Sequence, residues 1–388
     1  MNRAALLVCG LTLFATNTLA ATRTWTGAAS KLWSNAGNWV EGGAPVAGDT
    51  LVFPAAAPNL TSQNDLADET KFASISFDDD YVLTGNAFGI RDGLTVTAQA
   101  DVNVSNRINV TRGQTWTTRA PLTRLATAWM VFDGKAGDTH TLTLHSTGEL
   151  RVRPAATGRV VHSGGGLREV DAWIVGYWET TSSQRHTVND GRLLFRENFY
   201  RGVGHNLTLN GAPCDEPPCD DALTLASGPL YPNNLGRLIA TGGLVEASRA
   251  TDPSARSVAG EITFGSDVVY QVAVTPFTGP APDAPLAVGY PGPGTYYQDG
   301  SRTVTLNGAK LSVVAVAPFP GCMQRTIIGN DGTDAIIGTF DGLPEGSTFT
   351  TASGQQFRIA YAGGTGNDVT ITAVDAGADV CGVPAADR

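Results

Sequence analysis

Residues 338–372 read GTFDGLPEGSTFTTASGQQFRIAYAGGTGNDVTIT. Phe349, Phe357, Ile359 and Tyr361 alternate with polar neighbours, and Gly-rich corners separate the alternating runs. That is the two-residue period of strands with one buried face, so the stretch predicts strand, turn, strand, turn, strand. Working outward, residues 260–274 (GEITFGSDVVYQVAV) and 302–316 (RTVTLNGAKLSVVAV) carry the same pattern. Further candidate strands lie at 50–53, 73–77, 81–84, 94–98, 139–145, 149–153, 192–195, 206–210, 222–226 and 243–247, with Gly, Asn and Asp corners between them. With 46 Gly and 21 Pro in 388 residues, most candidate helices would be interrupted. No single period emerges from the spacing.

None of these short pieces can bury an apolar face alone, whereas stacking each on the last builds one continuous apolar column. The expectation is therefore an all-β chain folded as a right-handed parallel β-helix, a solenoid, with a β-sandwich tandem as the structural rival. The GTFDGLPEG corner, the FRIAY strand and the GGTGNDVTIT finish resemble the closing segment of the autotransporter-associated β-strand repeat family, the passenger-type β-helix proteins of bacterial surfaces. Residues 24–53, TWTGAASKLWSNAGNWVEGGAPVAGDTLVF, resemble the opening of such passengers. Where that family carries an Asp-Gln-Leu strand, this chain has Gly-Pro-Gly-Thr-Tyr-Tyr-Gln-Asp, and the Pro- and Gly-dense stretch 276–294 is read as an inserted loop near the C-terminal end of the stack.

The first twenty residues hold Arg3 as their only charge and an apolar run from Ala4 to Ala15, ending in small residues at Thr18 and Ala20. This is the pattern of a secretory signal peptide cleaved after Ala20. The expected organisation is a signal peptide at 1–20, an N-terminal cap region at 21–70, a parallel β-helix at 71–374 and a tail at 375–388. Passengers of the resembled family continue into an outer-membrane barrel; this sequence reaches Arg388 without one, so a passenger-like protein lacking a translocator is expected. A net charge of −10 with lysine only at 31, 71, 135 and 310 beyond the signal gives no electrostatic reason to bind nucleic acid or anionic lipid. After Ala20 no apolar run is long enough for a membrane helix, so no membrane insertion is expected.

Cys214 and Cys219 flank Asp215-Glu216-Pro217-Pro218, and Cys322 and Cys381 remain as a second pair. Four cysteines allow three connectivities; sequence proximity favours 214–219 with 322–381, in keeping with an oxidising compartment, and zinc is the rival use. Trp25, Trp33 and Trp39 read as a cover for the first turn of the stack, or alternatively as a sugar-stacking platform. Asp78-Asp79-Asp80 reads as a solvated corner, since a calcium site needs six to eight converging oxygens. Gly363–Asp368 matches G-G-x-G-x-D once, and one copy cannot stack with a neighbour to share ions. The five histidines show neither metal spacing nor a G-x-S-x-G elbow. No cofactor and no metal are expected.

The richest gathering of recognition chemistry is 170–204. Trp173, Tyr177, Trp178, Arg185 and Arg192 are the candidate ligand-binding residues, because aromatic rings and guanidinium groups together stack on and hydrogen-bond saccharides. The alternative is that the rings face the core and the arginines pair with nearby acids. The expected function is an exported surface or secreted protein with a structural or adhesive role, with glycans or host and cell-surface components as partners. A polysaccharide-processing enzyme, lyase or hydrolase, on the same scaffold and a non-catalytic glycan-binding module are the alternatives. No catalytic residue is assigned.

Overall fold

The computed structural model describes residues 20–97, 101–119, 122–132, 141–147, 149–155, 159–164, 167–172, 185–197, 205–227, 233–248, 257–276, 284–288, 303–330 and 334–374. These residues are all-β, with one three-residue 3-10 turn at Ala36–Asn38. Strand pairing is parallel until the last strands of the chain. Parallel order rules out the sandwich expectation, whose hairpins would pair neighbours in antiparallel fashion.

The strands enter three parallel ladders in rotation. Thr50–Phe53 begins with the first, Thr61–Asn64 lies on the second, and the start of Thr70–Phe77 lies on the third before its end rejoins the first. Asn233–Glu246 bends through all three, pairing in turn through Leu235, Ile239 and Val245. On the first ladder one file of register partners runs Leu51, Ile75, Leu94, Trp116, Leu144, His162, Val188, Leu209, Ala240 and Phe264. Every member is buried. Successive partners in such a ladder sit ~4.8 Å apart, so each side chain covers the one before it. The chain takes 18 residues to return from Leu144 to His162 but 31 from Leu209 to Ala240, which is why no sequence period emerges.

Corners are built for close stacking. Asn64 and Asn106 both donate side-chain hydrogen bonds to the carbonyl of Asn86, at 3.0 and 2.8 Å. Gly85 has φ +102° and a Cβ there would meet the Asn64 carbonyl oxygen at 2.2 Å, so no other residue fits. At the N-terminal end Trp25, Trp33 and Trp39 are buried, with Trp33 packed on Phe53, Phe72 and Phe88 at ring separations of 5.7 to 5.8 Å. They cover the first strands and are not free for sugar stacking.

Three expectations change. Parallel pairing starts at Thr22↔Thr50, inside the region assigned to a cap, because residues 21–70 already supply first- and second-ladder strands. It also stops before 374: Gln324–Asn330 pairs antiparallel with Asp368–Val374, which pairs antiparallel with Gln356–Gly363 and that with Thr348–Thr350. Alternation alone cannot separate this closing meander from further parallel strands, since both bury one face. Within the loop assigned to 276–294, Leu286–Val288 is a third-ladder strand joining Ser257–Ala259 to Ile328–Asn330. Residues 277–283 and 289–302 lie outside the described residues. The Cys214–Cys219 disulfide forms as expected. Cys322 is disulfide-bonded too, and its expected partner Cys381 lies outside the described residues.

Truncating Trp33 would open a cavity among four aromatic rings. We expect Trp33→Ala to lower unfolding free energy by about 3–5 kcal/mol in a urea titration; a loss under 1 kcal/mol would show that the indole is not structural.

Candidate functional site

Of the sequence-predicted ligand residues, Trp173, Tyr177 and Trp178 lie outside the described residues. Arg185 and Arg192 are exposed but occupy separate ladders, Arg185 opposite Arg159 and Asn206 on the first and Arg192 opposite Leu167 and Ala222 on the second. Register therefore does not stack the two guanidinium groups. His186, in the same segment, points into the core.

A concave feature of the described surface lies further along the second ladder. There the outward file Ala222, Leu244, Val269 and Lys310 would expose three apolar residues. The disulfide loop folds over them, and Cys214 and Cys219 join Ala222, Leu244 and Val269 in a small second core. Asp221 fixes the loop base by accepting from Gly191 N at 2.6 Å and Ala212 N at 2.7 Å. Lys310 ends the file and donates to the Cys214 carbonyl at 3.2 Å and to the Asp215 carboxylate.

Beyond Lys310 opens a groove of about 910 Å³. One wall is the disulfide loop at 215–217, the floor is the strand Lys310–Ala315, and the far wall is the turn at 349–353, with Asp341 and Leu343 between. A polar file of Thr224, Glu246, Gln271 and Ser312 runs along the outer face into it, linked by side-chain hydrogen bonds of 2.5, 3.1 and 3.5 Å. Among its lining residues Asp215, Glu216 and Asp341 are acidic and Lys310 is the sole cation, so the groove is net negative.

Lysine beside carboxylates in a groove invites comparison with proton-abstracting enzymes. A catalytic base must be neutral near pH 7, which requires a lowered lysine pKa. The hydrogen bond to Asp215 raises that of Lys310 instead, with Asp267 and Asp341 adding to the effect, and correspondingly lowers that of Asp215. The pair is a latch for the loop.

The acidic and histidine candidates elsewhere are engaged within the fold. The carboxylates of Asp78, Asp79 and Asp80 diverge: Asp78 accepts from Thr97, Asp79 from Ala56 N at 2.9 Å and Asp80 from Asp101 N at 2.7 Å. Asp368 of the calcium-like stretch uses one oxygen for Asn330 N at 2.7 Å and the other for Thr365 N at 3.0 Å. His145 Nδ1 lies 3.0 Å from Ser163 Oγ, but among the described residues no acid holds the other ring nitrogen, as a triad requires. His140 lies outside the described residues.

Sequence reading missed a buried cationic knot. Arg168 sits between Leu150 and Leu193 in an inward file of the second ladder, fully buried. It donates to the carbonyls of Ser163, at 2.6 Å, and of Asp190. Burial lowers its pKa to about 10, against the opposing pull of Asp190 and Asp221. Nearby, His162 and His186 stack at 5.5 Å with Nε2 and Nδ1 3.2 Å apart. Burial, then His186, then Arg168 push the His162 pKa well below its ordinary value.

A histidine held neutral when folded but protonated freely when unfolded contributes stability above its unfolded pKa of ~6.5 that is lost as pH falls. Unfolding free energy should therefore decline from pH 7 to pH 5 by up to roughly 1.4 kcal/mol per unit from this group. His162→Leu should flatten that slope; an unchanged slope would remove His162 as its source.

No protein-family model, no curated protein and no solved structure matches this chain.

Proposed function

We propose that this chain is an exported, non-catalytic right-handed parallel β-helix with a structural or adhesive role, similar to an autotransporter passenger. Rotation of strands through three ladders supports the solenoid reading, and the right hand follows from the general handedness of parallel crossovers. The outward files support a role in presentation: one is mostly threonine (Thr115, Thr143, Thr187, Thr208 and Thr263), and the apolar one of Ala222, Leu244 and Val269 is covered by the disulfide loop. Among the described residues no helix is long and apolar enough to cross a membrane.

The observation that carries export is the engagement of Ala21. Its backbone nitrogen donates at 2.9 Å to Asp49, a buried carboxylate that also accepts from Arg23 Nε and Val46 N, both at 3.0 Å. Cleavage after Ala20 would turn this nitrogen into an α-ammonium group with a pKa of ~7.7–8.0, so the hydrogen bond would become an ion pair to the carboxylate that Arg23 also contacts. Among the described residues, which begin at residue 20, this long-range polar contact lies next to the cleavage point read from sequence.

Intact-mass measurement of protein recovered from a bacterial periplasm or medium should give a chain beginning at Ala21; a chain retaining Met1 in the cytosol would sink the export reading. Asp49→Ala, leaving Arg23 and two backbone donors unpaired, should cost about 3–5 kcal/mol of stability. The polysaccharide-processing alternative has one observation in its favour, the Lys310 groove. Incubation with uronate-containing polysaccharides and calcium should yield no unsaturated product; appearance of such product, abolished by Lys310→Met, would replace the present reading.

A further inference from the structure

We propose that the open edge of the strand Lys310–Ala315 is a docking site for an extended cationic polypeptide, which adds to the second ladder as its next strand. This inference stands on the groove alone and goes beyond the export and presentation reading. The strand pairs in parallel with Ile262–Val274 on one side and with no described strand on the other. Val316 N donates to Val274 O at 3.0 Å, which fixes the alternation. Backbone groups of Lys310, Ser312 and Val314 turn toward that neighbour, so those of Leu311, Val313 and Ala315 face the groove.

The edge is open for a reason visible in the chain path. Earlier strands pass from the first ladder directly to the second, as Val304–Thr305 does to Lys310–Ala315. After the next first-ladder contact, Thr305↔Ile337, the chain instead turns through Phe340↔Leu343 and enters the antiparallel meander. The third ladder is closed by Asp368–Val374. Among the described residues the second has no strand to follow. Across the groove, Thr348–Thr350 likewise has a single partner strand, so two half-paired strands border one cleft. Open edges are ordinarily blunted or covered, and an uncovered one is a template for strand addition.

Charge selects the occupant. Asp215, Glu216 and Asp341 face the cleft, and its one cation, Lys310, is held by Asp215. Val314, Leu343 and Phe349 give it apolar surface, and Val316, 42% exposed, extends this past the strand end. A second copy of this chain, with net charge −10, would bring like charge to like. A segment alternating basic and β-branched residues matches both surfaces, and six such residues in extended form span ~20 Å, the length of the edge strand.

The test is fluorescence anisotropy of a labelled hexapeptide of alternating Lys and Val, titrated with the whole chain. Saturable binding is expected, weakening steeply with salt, with at least tenfold loss when alternate peptide nitrogens on the docking edge are methylated. Ala315→Pro removes one outward N–H in a position where an edge strand tolerates proline, and should weaken binding to a similar degree. Glu216→Gln with Asp341→Asn should cost about tenfold and remove most of the salt dependence. Equal binding by the methylated peptide, absence of binding, or self-association of the chain through this edge would overturn the proposal. So would uptake of a uronate oligosaccharide in place of the peptide. If Ala315→Pro does not fold by circular dichroism, the methylated peptide on the unaltered protein decides the matter.

Discussion

Lateral backbone hydrogen bonding between parallel strands is the constraint on which the rest of this molecule depends. Strands of three to six residues, such as Val102–Val104 and Ile108–Val110, have no stability of their own and exist because a partner lies on each side. That requirement stacks residues of like kind at ~4.8 Å intervals, and so converts scattered valines, leucines and phenylalanines into continuous apolar files. It also makes the ends the problem. Tryptophans cover the N-terminal end and an antiparallel meander covers the third ladder at the C-terminal end, while among the described residues the second ladder has no strand beyond Lys310–Ala315.

The same constraint explains where polar chemistry is tolerated inside. Arg168 and His162 occupy positions that their ladder neighbours fill with leucine and valine. Arg168 is accepted because two carbonyls at a corner, those of Ser163 and Asp190, converge on its guanidinium. His162 is accepted as a neutral ring stacked on His186. These side chains tie consecutive strands across a corner, and their chemistry is directed at the fold. Outward positions are different: there the Cys214–Cys219 loop covers three apolar residues and, through Lys310 and Asp215, forms a wall of the acidic cleft.

Much of the architecture was legible in sequence because alternation and corner residues are local. Thr50–Phe53 and Ala222–Ser227 could be placed almost residue for residue, and the Cys214–Cys219 bridge followed from the closeness of the two cysteines in sequence. Three-residue strands such as Ser257–Ala259 escaped notice because alternation needs four or more positions to register. The sense of pairing escaped too: Asp368–Val374 and Val268–Val274 look alike in one dimension, yet one is antiparallel and the other parallel. The groove was illegible for a related reason. Asp215, Lys310 and Asp341 lie far apart in the chain and meet only because register brings Val269 beside Lys310, and nothing local marks a strand whose next neighbour is missing.

Whether successive strands climb one parallel ladder is read out by electron–electron resonance between spin labels on an outward file. Thr115, Thr143, Val161, Thr187, Thr208, Ile239 and Thr263 are register partners in order. Labels at Thr115 and Thr187 should lie roughly 14 Å apart and labels at Thr115 and Thr263 roughly 29 Å, one ~4.8 Å step per strand. Distances that fail to grow with the number of intervening strands, as facing antiparallel sheets would give, would contradict it.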